Sequence, residues 1–406
     1  MSKKNLLLYI FFIISIYLLV FQFYLESIFE IFKYFDELFA SLFLVVLLFK
    51  IKKRGNLKRY RLIVILLFLF IAIGLAQNIK LNYQKTPYVL ADILLFLKFF
   101  FTMGLSNMLY RESFFNDTHK KKLKNHIRII LLFLIILTIF NYSYNIWPNG
   151  DIRYGIMPNQ LFFGHPTKLA SVSIFLLCLY NICNKGKIDI FYFVIFILIA
   201  STTRTKAVAA LALSLYIIYY VNKHTKKIAI KKYAAVLLII FMFGYSTFEQ
   251  YFFSEGWART EMTKAGFKIA KDYFPVGTGF GTFGSWYSAV SYSPIYNLYN
   301  LRNVYGLGEK NIGAVADTFW PTILGQFGYL GCFIYVTIIF KLFLLIQDDY
   351  SDKNKNIYAS KLIAFMYLLI SSIAESAFVN PLAVPLGFII GINLKERDDN
   401  NDTKNN

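Results

Sequence analysis

Long runs of apolar residues, separated by shorter polar segments, dominate the chain from residue 5 to residue 394. Most of these runs approach the roughly 20 residues that an α-helix needs to cross a bilayer. The pattern therefore predicts an all-α, polytopic membrane protein with about 12 transmembrane helices. The predicted spans are 5–24, 27–49, 62–78, 89–109, 129–143, 167–183, 189–202, 206–221, 233–250, 318–345, 358–378 and 380–394.

The composition points the same way. Hydrophobic residues make up 57% of the 406 positions and charged residues only 16%, against about 25% charged in soluble domains. A chain with so few polar side chains cannot cover a water-soluble globule, which excludes a soluble enzyme, a disordered chain and a secreted disulfide scaffold. Its three cysteines, Cys178, Cys183 and Cys332, all fall within predicted spans, so they form neither a disulfide framework nor a paired metal motif.

The net charge of +20 first suggests a nucleic-acid partner. Most basic residues, however, lie in short segments between predicted spans, such as 50–61, 110–128 and 222–232. This is the asymmetry expected when basic loops stay in the cytoplasm. We therefore predict a multi-pass protein of the cytoplasmic membrane, with both termini cytoplasmic, the lipid bilayer as its partner and no nucleic acid bound.

Two segments on the predicted outer side are long, at about 141–168 and 251–316. Long loops in compact domains are usually functional, so we expect the second one, a large extracytoplasmic loop, to handle a substrate. It would belong to a single transmembrane domain over 1–395, followed by a disordered tail over 396–406. Within the loop, residues 259–273 predict a short amphipathic helix, with Ala265, Phe267, Ile269, Ala270 and Tyr273 available for its packed side.

A glycine-rich turn follows this helix after Pro275. The sequence Gly279-Phe-Gly281-Thr-Phe-Gly284 matches G-x-G-x-x-G, but no strand precedes it, so a dinucleotide site is not supported. Two interpretations remain open. Gly277, Gly279 and Gly281 could let backbone amides approach a phosphate or a sugar, or the turn could pack tightly on the membrane domain.

Charged residues near the predicted outer ends of spans are candidates for chemistry. Arg204 and Arg259 could clamp a pyrophosphate by bidentate hydrogen bonds, although snorkelling to the interface is the alternative for Arg204. Asp317 could act as a general base, as a helix N-cap, or as both. No outer Asp-x-Asp sequence supports a metal-bound sugar nucleotide, so no metal and no cofactor are predicted. Within the fourth span, Asp92 and Lys98 are a candidate structural pair.

The four tryptophans all fall on the predicted outer side. They could form an interfacial aromatic belt or offer flat faces to sugar rings. Further candidates for substrate binding are Arg153, His165, Trp257, Lys264, Trp320 and Glu375.

Taken together, these motifs resemble the O-antigen ligase/polymerase superfamily of bacterial membrane glycosyltransferases over essentially the full chain. The matching pieces are Thr203-Arg204-Thr205, Arg259 followed by Pro275-Val-Gly277-Thr-Gly279-Phe-Gly281, Asp317-Thr318 leading to Gly328-Tyr-Leu-Gly331, and Gly164-His-Pro-Thr-Lys-Leu-Ala170. Their order and spacing carry the resemblance.

The resemblance implies metal-independent glycosyl transfer from undecaprenyl-diphosphate-linked oligosaccharide at the outer face of the bacterial inner membrane. Arg204 and Arg259 would hold the diphosphate, and a chain-length regulator and a flippase would be partners. Ligases of the family have a histidine where this chain has Asp317, so the chain looks more like a polymerase of O-antigen, capsule or exopolysaccharide repeat units. A ligase, a flippase or other transporter, and a non-catalytic assembly protein remain the alternatives.

Overall fold

The computed structural model describes residues 3–49, 59–153, 155–184, 188–224, 226–229, 231–233, 245, 249 and 253–393. Within these ranges the backbone forms helices and isolated bridges but no strand, which confirms the all-helical prediction for this part of the chain. The helices are α1 (Lys3–Ile28), α2 (Phe35–Phe49), α3 (Arg61–Leu81), α4 (Thr86–Leu109), α5 (Asp117–Tyr144), α6 (Pro166–Cys183), α7 (Ile190–Ser201), α8 (Thr205–Lys223), α9 (Ala258–Asp272), α10 (Trp286–Val290), α11 (Ile295–Leu298), α12 (Trp320–Gln347), α13 (Lys355–Ser372) and α14 (Ala383–Gly391).

Seven of the described helices are long and apolar enough to cross a membrane: α1, α3, α4, α5, α6, α8 and α12. Each coincides with one predicted span. The spans predicted at 27–49, 189–202, 358–378 and 380–394 correspond to α2, α7, α13 and α14, which are shorter or less apolar. The span at 233–250 lies outside the described residues except for positions 233, 245 and 249, and the tail at 396–406 lies wholly outside them. Membrane embedding is therefore supported, while the number 12 stays a prediction.

Capping residues mark several helix ends. The side chain of Asn116 accepts a hydrogen bond from the His119 N–H at the start of α5, at 2.9 Å. Asp189 caps α7 in the same way through Phe191. Asn145 ends α5 in the left-handed conformation, with φ of 50°. These residues satisfy helix-end groups that apolar neighbours cannot satisfy.

The buried charges of α4 differ from their predicted pairing. Lys98 binds Asp36 at 2.5 Å and Glu37 at 3.2 Å, both at the start of α2. Asp92 instead accepts the backbone N–H of Gly281 at 2.7 Å. The predicted Asp92–Lys98 pair is thus wrong, because α2 and the glycine turn (residues 275–284) pack on α4 and supply nearer partners.

The segment 253–319 carries α9, the glycine turn and two short helices, and it has a hydrophobic cluster of its own. Helix α9 confirms the predicted helix at 259–273 and packs along α12. A Cβ on Gly266 would lie 2.8 Å from the Pro321 carbonyl oxygen, so the two backbones approach closely here. Ala265, Ile269 and Ala270 are buried as expected, whereas Phe267 is 52% exposed because it lies off the buried stripe.

The glycine turn docks into the bundle. Gly279 donates its N–H to the Gln326 carbonyl at 2.7 Å, and Leu330 donates to the Pro275 carbonyl at 3.0 Å. Helix α12 departs from helical geometry at Gly328, where φ is 63° and ψ is −166°. A Cβ on Gly277 would lie 2.5 Å from the Gly328 nitrogen. The turn and the kink therefore fit together only without side chains.

Gly277→Ala should destabilise the fold by about 2 kcal/mol or more, because it adds both a clash with backbone and a side chain at φ of 71°. The measurement is the thermal midpoint of the detergent-solubilised protein, followed by size-exclusion chromatography after heating. Gly150→Ala is the matched control, since a Cβ there meets nothing within 4 Å. Equal midpoints for the two variants would contradict the docking role of the turn.

Candidate active site

Arg204 stands at the start of α8, after a tight and strained turn. The residue before it, Thr203, is buried and has a φ of 49°, which is unusual for a β-branched side chain. Its N–H bonds to the Ala200 carbonyl at 3.0 Å, which holds the turn against the end of α7. Strained backbone of this kind persists where the surrounding structure fixes it, often at functional sites.

Arg204 shares a carboxylate with another predicted residue. Its Nη1 lies 3.3 Å from Asp151 Oδ2, and Arg153 Nε lies 2.9 Å from the same oxygen. Asp151 comes from the long segment between α5 and α6, so the fold draws that segment to the start of α8. The sequence pattern pointed to both arginines but not to Asp151.

Arg259 and Asp317 form a second ion pair, with 3.1 Å between Nη2 and Oδ2. Arg259 lies in the first turn of α9, and Asp317 lies just before α12. That helix begins at Trp320 with Phe319 as its N-cap, so Asp317 is not the cap that the sequence left open. Partial burial raises the pKa of the Asp317 carboxyl; Arg259 opposes this rise, and Glu375 adds to it.

A third pair, Lys206 with Glu375, lies near the other two. Lys206 lowers the pKa of Asp317, and Glu375 raises it. Lys206 lies two residues after Arg204, and a signal for it existed in the sequence, since it is a second cation in the first turn of the same apolar helix. We name these residues the ion-pair cluster: Asp151, Arg153, Arg204, Lys206, Arg259, Asp317 and Glu375.

His165 lies at the edge of the ion-pair cluster as the N-cap of α6. Its Nδ1 accepts the Thr167 N–H at 3.2 Å. The ring is open to solvent, yet partial desolvation and then the charges of Arg204, Lys206, Lys168 and Arg153 lower its pKa to about 4. The imidazole is therefore neutral at physiological pH, because desolvation and the neighbouring cations both disfavour its charged form.

The remaining predicted residues have diverse surroundings. Trp257 lines a cavity of about 560 Å³ together with Arg259, Asp317 and Tyr305. Trp320 donates its Nε1–H to Ser372 Oγ at 3.2 Å. Lys264 pairs with Glu261 on the solvent side of α9 at 3.2 Å and lines none of the described cavities.

The three glycines predicted to approach substrate lie against the bundle instead. Gly277 donates to the Tyr273 carbonyl, Gly279 to Gln326 and Gly281 to Asp92. Because these amides are engaged inside the protein, the structure favours the packing interpretation of the turn. Substrate binding by Gly277, Gly279 and Gly281 stays a prediction.

A second cavity, of about 390 Å³, adjoins the ion-pair cluster and shares Glu375 with it. Among the residues that the structure describes, no group of three or more histidine, cysteine or acidic side chains converges in a way that could hold a metal ion. The chemistry available to the site is that of fixed cations facing partly buried carboxylates.

Arg204→Gln should raise the pKa of His165 from about 4 towards the ordinary 6.5, because it removes a cation that disfavours the imidazolium. The measurement is NMR titration of protein labelled at histidine, with His165→Gln assigning one of the four signals. Arg302→Gln serves as the control, since that arginine is exposed and pairs with Glu309. A pKa that stays unchanged in Arg204→Gln would contradict the proximity of the two residues.

No protein-family model matches this chain, and no curated protein sequence is similar to it. The family resemblance therefore rests on the quoted motifs, and a function can be proposed only from those motifs and the geometry of the ion-pair cluster.

Proposed function

We propose that the chain is a polysaccharide polymerase of the bacterial inner membrane. It would join lipid-linked oligosaccharide repeat units by glycosyl transfer from polyprenyl diphosphate at the outer face. The observation that carries the proposal is the convergence of Arg204 and Arg259, from two distant parts of the chain, on one ion-pair cluster. Four cations face three carboxylates there, which leaves a positive surplus suited to a diphosphate.

In the proposed reaction a hydroxyl oxygen of the acceptor sugar attacks the anomeric carbon of the growing chain. The bond from that carbon to the diphosphate oxygen breaks, and the electron pair leaves with the polyprenyl diphosphate. Arg204 and Arg259 stabilise the charge that develops on this leaving group. The hydroxyl proton passes to Asp317, so the products are a chain extended by one repeat unit on the acceptor lipid and a free polyprenyl diphosphate.

The surroundings of Asp317 support its role as the base. Its carboxylate is held by Arg259, the residue assigned to the leaving diphosphate, so that base and leaving group would meet at one place. Partial burial raises its pKa, which makes the carboxylate a stronger base than a solvated aspartate.

Arg204→Gln and Arg259→Gln should each reduce chain growth by at least about 100-fold, the scale expected when one transition-state donor is lost. The measurement is the length distribution of lipid-linked glycan in cells that lack the protein and carry either variant. Single repeat units should accumulate at the outer face, and wild type and Arg302→Gln should restore the ladder, with all proteins at equal levels in the membrane.

Other distributions would contradict the polymerase. Long chains stranded on the lipid carrier would indicate a ligase, and single units confined to the inner face would indicate a flippase. A normal ladder with both arginine variants would indicate a non-catalytic assembly protein.

The pH dependence of the rate gives a separate test of Asp317. A base must be deprotonated to act, so kcat/KM should decrease at low pH. The apparent pKa of this decrease should lie above 3.8, the ordinary pKa of an aspartate. Asp317→Asn should lose about 10²- to 10⁴-fold in rate, whereas Asp317→Glu should keep an acid limb and part of the rate. Retention of full activity by Asp317→Asn would remove it as the base.

A further inference from the structure

The cavity of about 390 Å³ lies between the N-terminal helices, the middle of α4 and the starts of α6 and α10. This volume falls within the range of roughly 300–1,000 Å³ that small-molecule sites occupy. Its wall also includes the stretch from Glu375 to Leu382, and Ala316 beside Asp317. A ligand in this cleft would therefore lie next to the ion-pair cluster.

The polar floor of the cleft is a buried charge group. Lys98 pairs with both Asp36 and Glu37, so two carboxylates share one ammonium. Asp36 Oδ1 also accepts from Gln22 Nε2 at 3.1 Å. Glu37 Oε1 faces Lys98, but the buried Oε2 has no hydrogen-bond partner within the chain. Leaving such an acceptor unpaired is costly, and other atoms of the Glu37 side chain line the cleft.

The aromatic wall is held rigidly. Trp286 is the first residue of α10, whose start is fixed by a reciprocal capping box between Ser285 and Ser288. The indole is 42% exposed and, with Tyr287, lines the cleft. Lys33 Nζ lies 5.2 Å from the ring centroid, so the wall presents an ammonium donor beside a flat apolar face.

The charges of the cleft indicate the class of ligand. Lys33, Lys98 and Lys168 are matched by Glu26, Glu37 and Glu375. An even balance of this kind does not favour a phosphate, in contrast to the cationic surplus of the ion-pair cluster. A flat ring combined with hydrogen-bond donors and carboxylates suits an uncharged ligand that has both hydroxyl groups and an apolar face, such as a sugar.

We propose that this cleft is the acceptor-saccharide subsite, in which Trp286 packs against a sugar ring and the Glu37 carboxylate accepts from a sugar hydroxyl. The proposal rests on the polymerase function given above. It assigns the two substrates to adjoining places: the donor diphosphate to the ion-pair cluster, and the acceptor sugar to the cleft that shares Glu375 with it.

Trp286→Ala and Glu37→Gln test this subsite in full-length protein reconstituted into nanodiscs. In elongation assays with purified lipid-linked repeat unit, each should raise the acceptor KM by about tenfold, the scale of one aromatic or hydrogen-bond contact. The kcat should stay within about twofold. Binding of the lipid-free oligosaccharide, released from the same repeat units by mild acid and measured by calorimetry, should weaken by the same factor. Tyr144→Ala, an exposed aromatic on α5, and Glu309→Gln are the matched controls.

The outcomes separate the two proposals. If both variants elongate and bind the oligosaccharide as wild type does, the subsite is overturned and the polymerase stands. If wild type binds the oligosaccharide through Trp286 but never elongates, the polymerase is overturned and the saccharide cleft stands. If Glu37→Gln fails to fold, Trp286→Ala still decides the test, because replacing Trp286 leaves the buried charges of the cleft unchanged.

Discussion

The site depends on one close backbone contact, between the glycine turn after Pro275 and the kink of α12 at Gly328. The turn brings backbone N–H and C=O groups into an apolar bundle, where each of them needs a hydrogen-bond partner. Asn78 therefore receives the turn with two hydrogen bonds to Phe280, one from its Nδ2 to the carbonyl and one from the Phe280 N–H to its Oδ1. Because α9 directly precedes the turn and Asp317 precedes the kink, the docking of the turn determines where Arg259 meets its carboxylate.

Buried and exposed charged side chains differ in how they are paired. Lys98 is almost fully buried and has two carboxylate partners, and Lys361 is likewise buried against Asp349. Buried ions of this kind persist only when they are paired, since desolvation costs several kcal/mol per ion. Asp151 and Asp317 are instead more than 40% exposed. An incoming anion could therefore replace them on the arginines without leaving a buried charge unpaired.

This contrast gives the cleft and the ion-pair cluster distinct chemistry although they adjoin. The cleft has balanced charge and an aromatic wall, whereas the cluster has a surplus of cations, which adds to desolvation in lowering the pKa of His165. Glu375 belongs to both places, since it lines the cleft and binds Lys206. Adjoining sites of unlike polarity suit a reaction between a charged leaving group and an uncharged nucleophile.

The sequence by itself determined the helical class, the positions of seven apolar helices and the amphipathic helix α9, because these follow from local runs and periods of apolar residues. It also picked out Arg204, Arg259 and Asp317 as charges placed near apolar spans. Only the tertiary structure decided their partners. Asp151 precedes Arg204 by 53 positions, and Glu375 lies far along the chain from Lys206, so no local pattern connects them. The partners of Lys98 and the packing of the glycine turn were likewise set by which helices lie side by side, since hydrogen bonds and ion pairs form between neighbours in space and leave no period in the sequence.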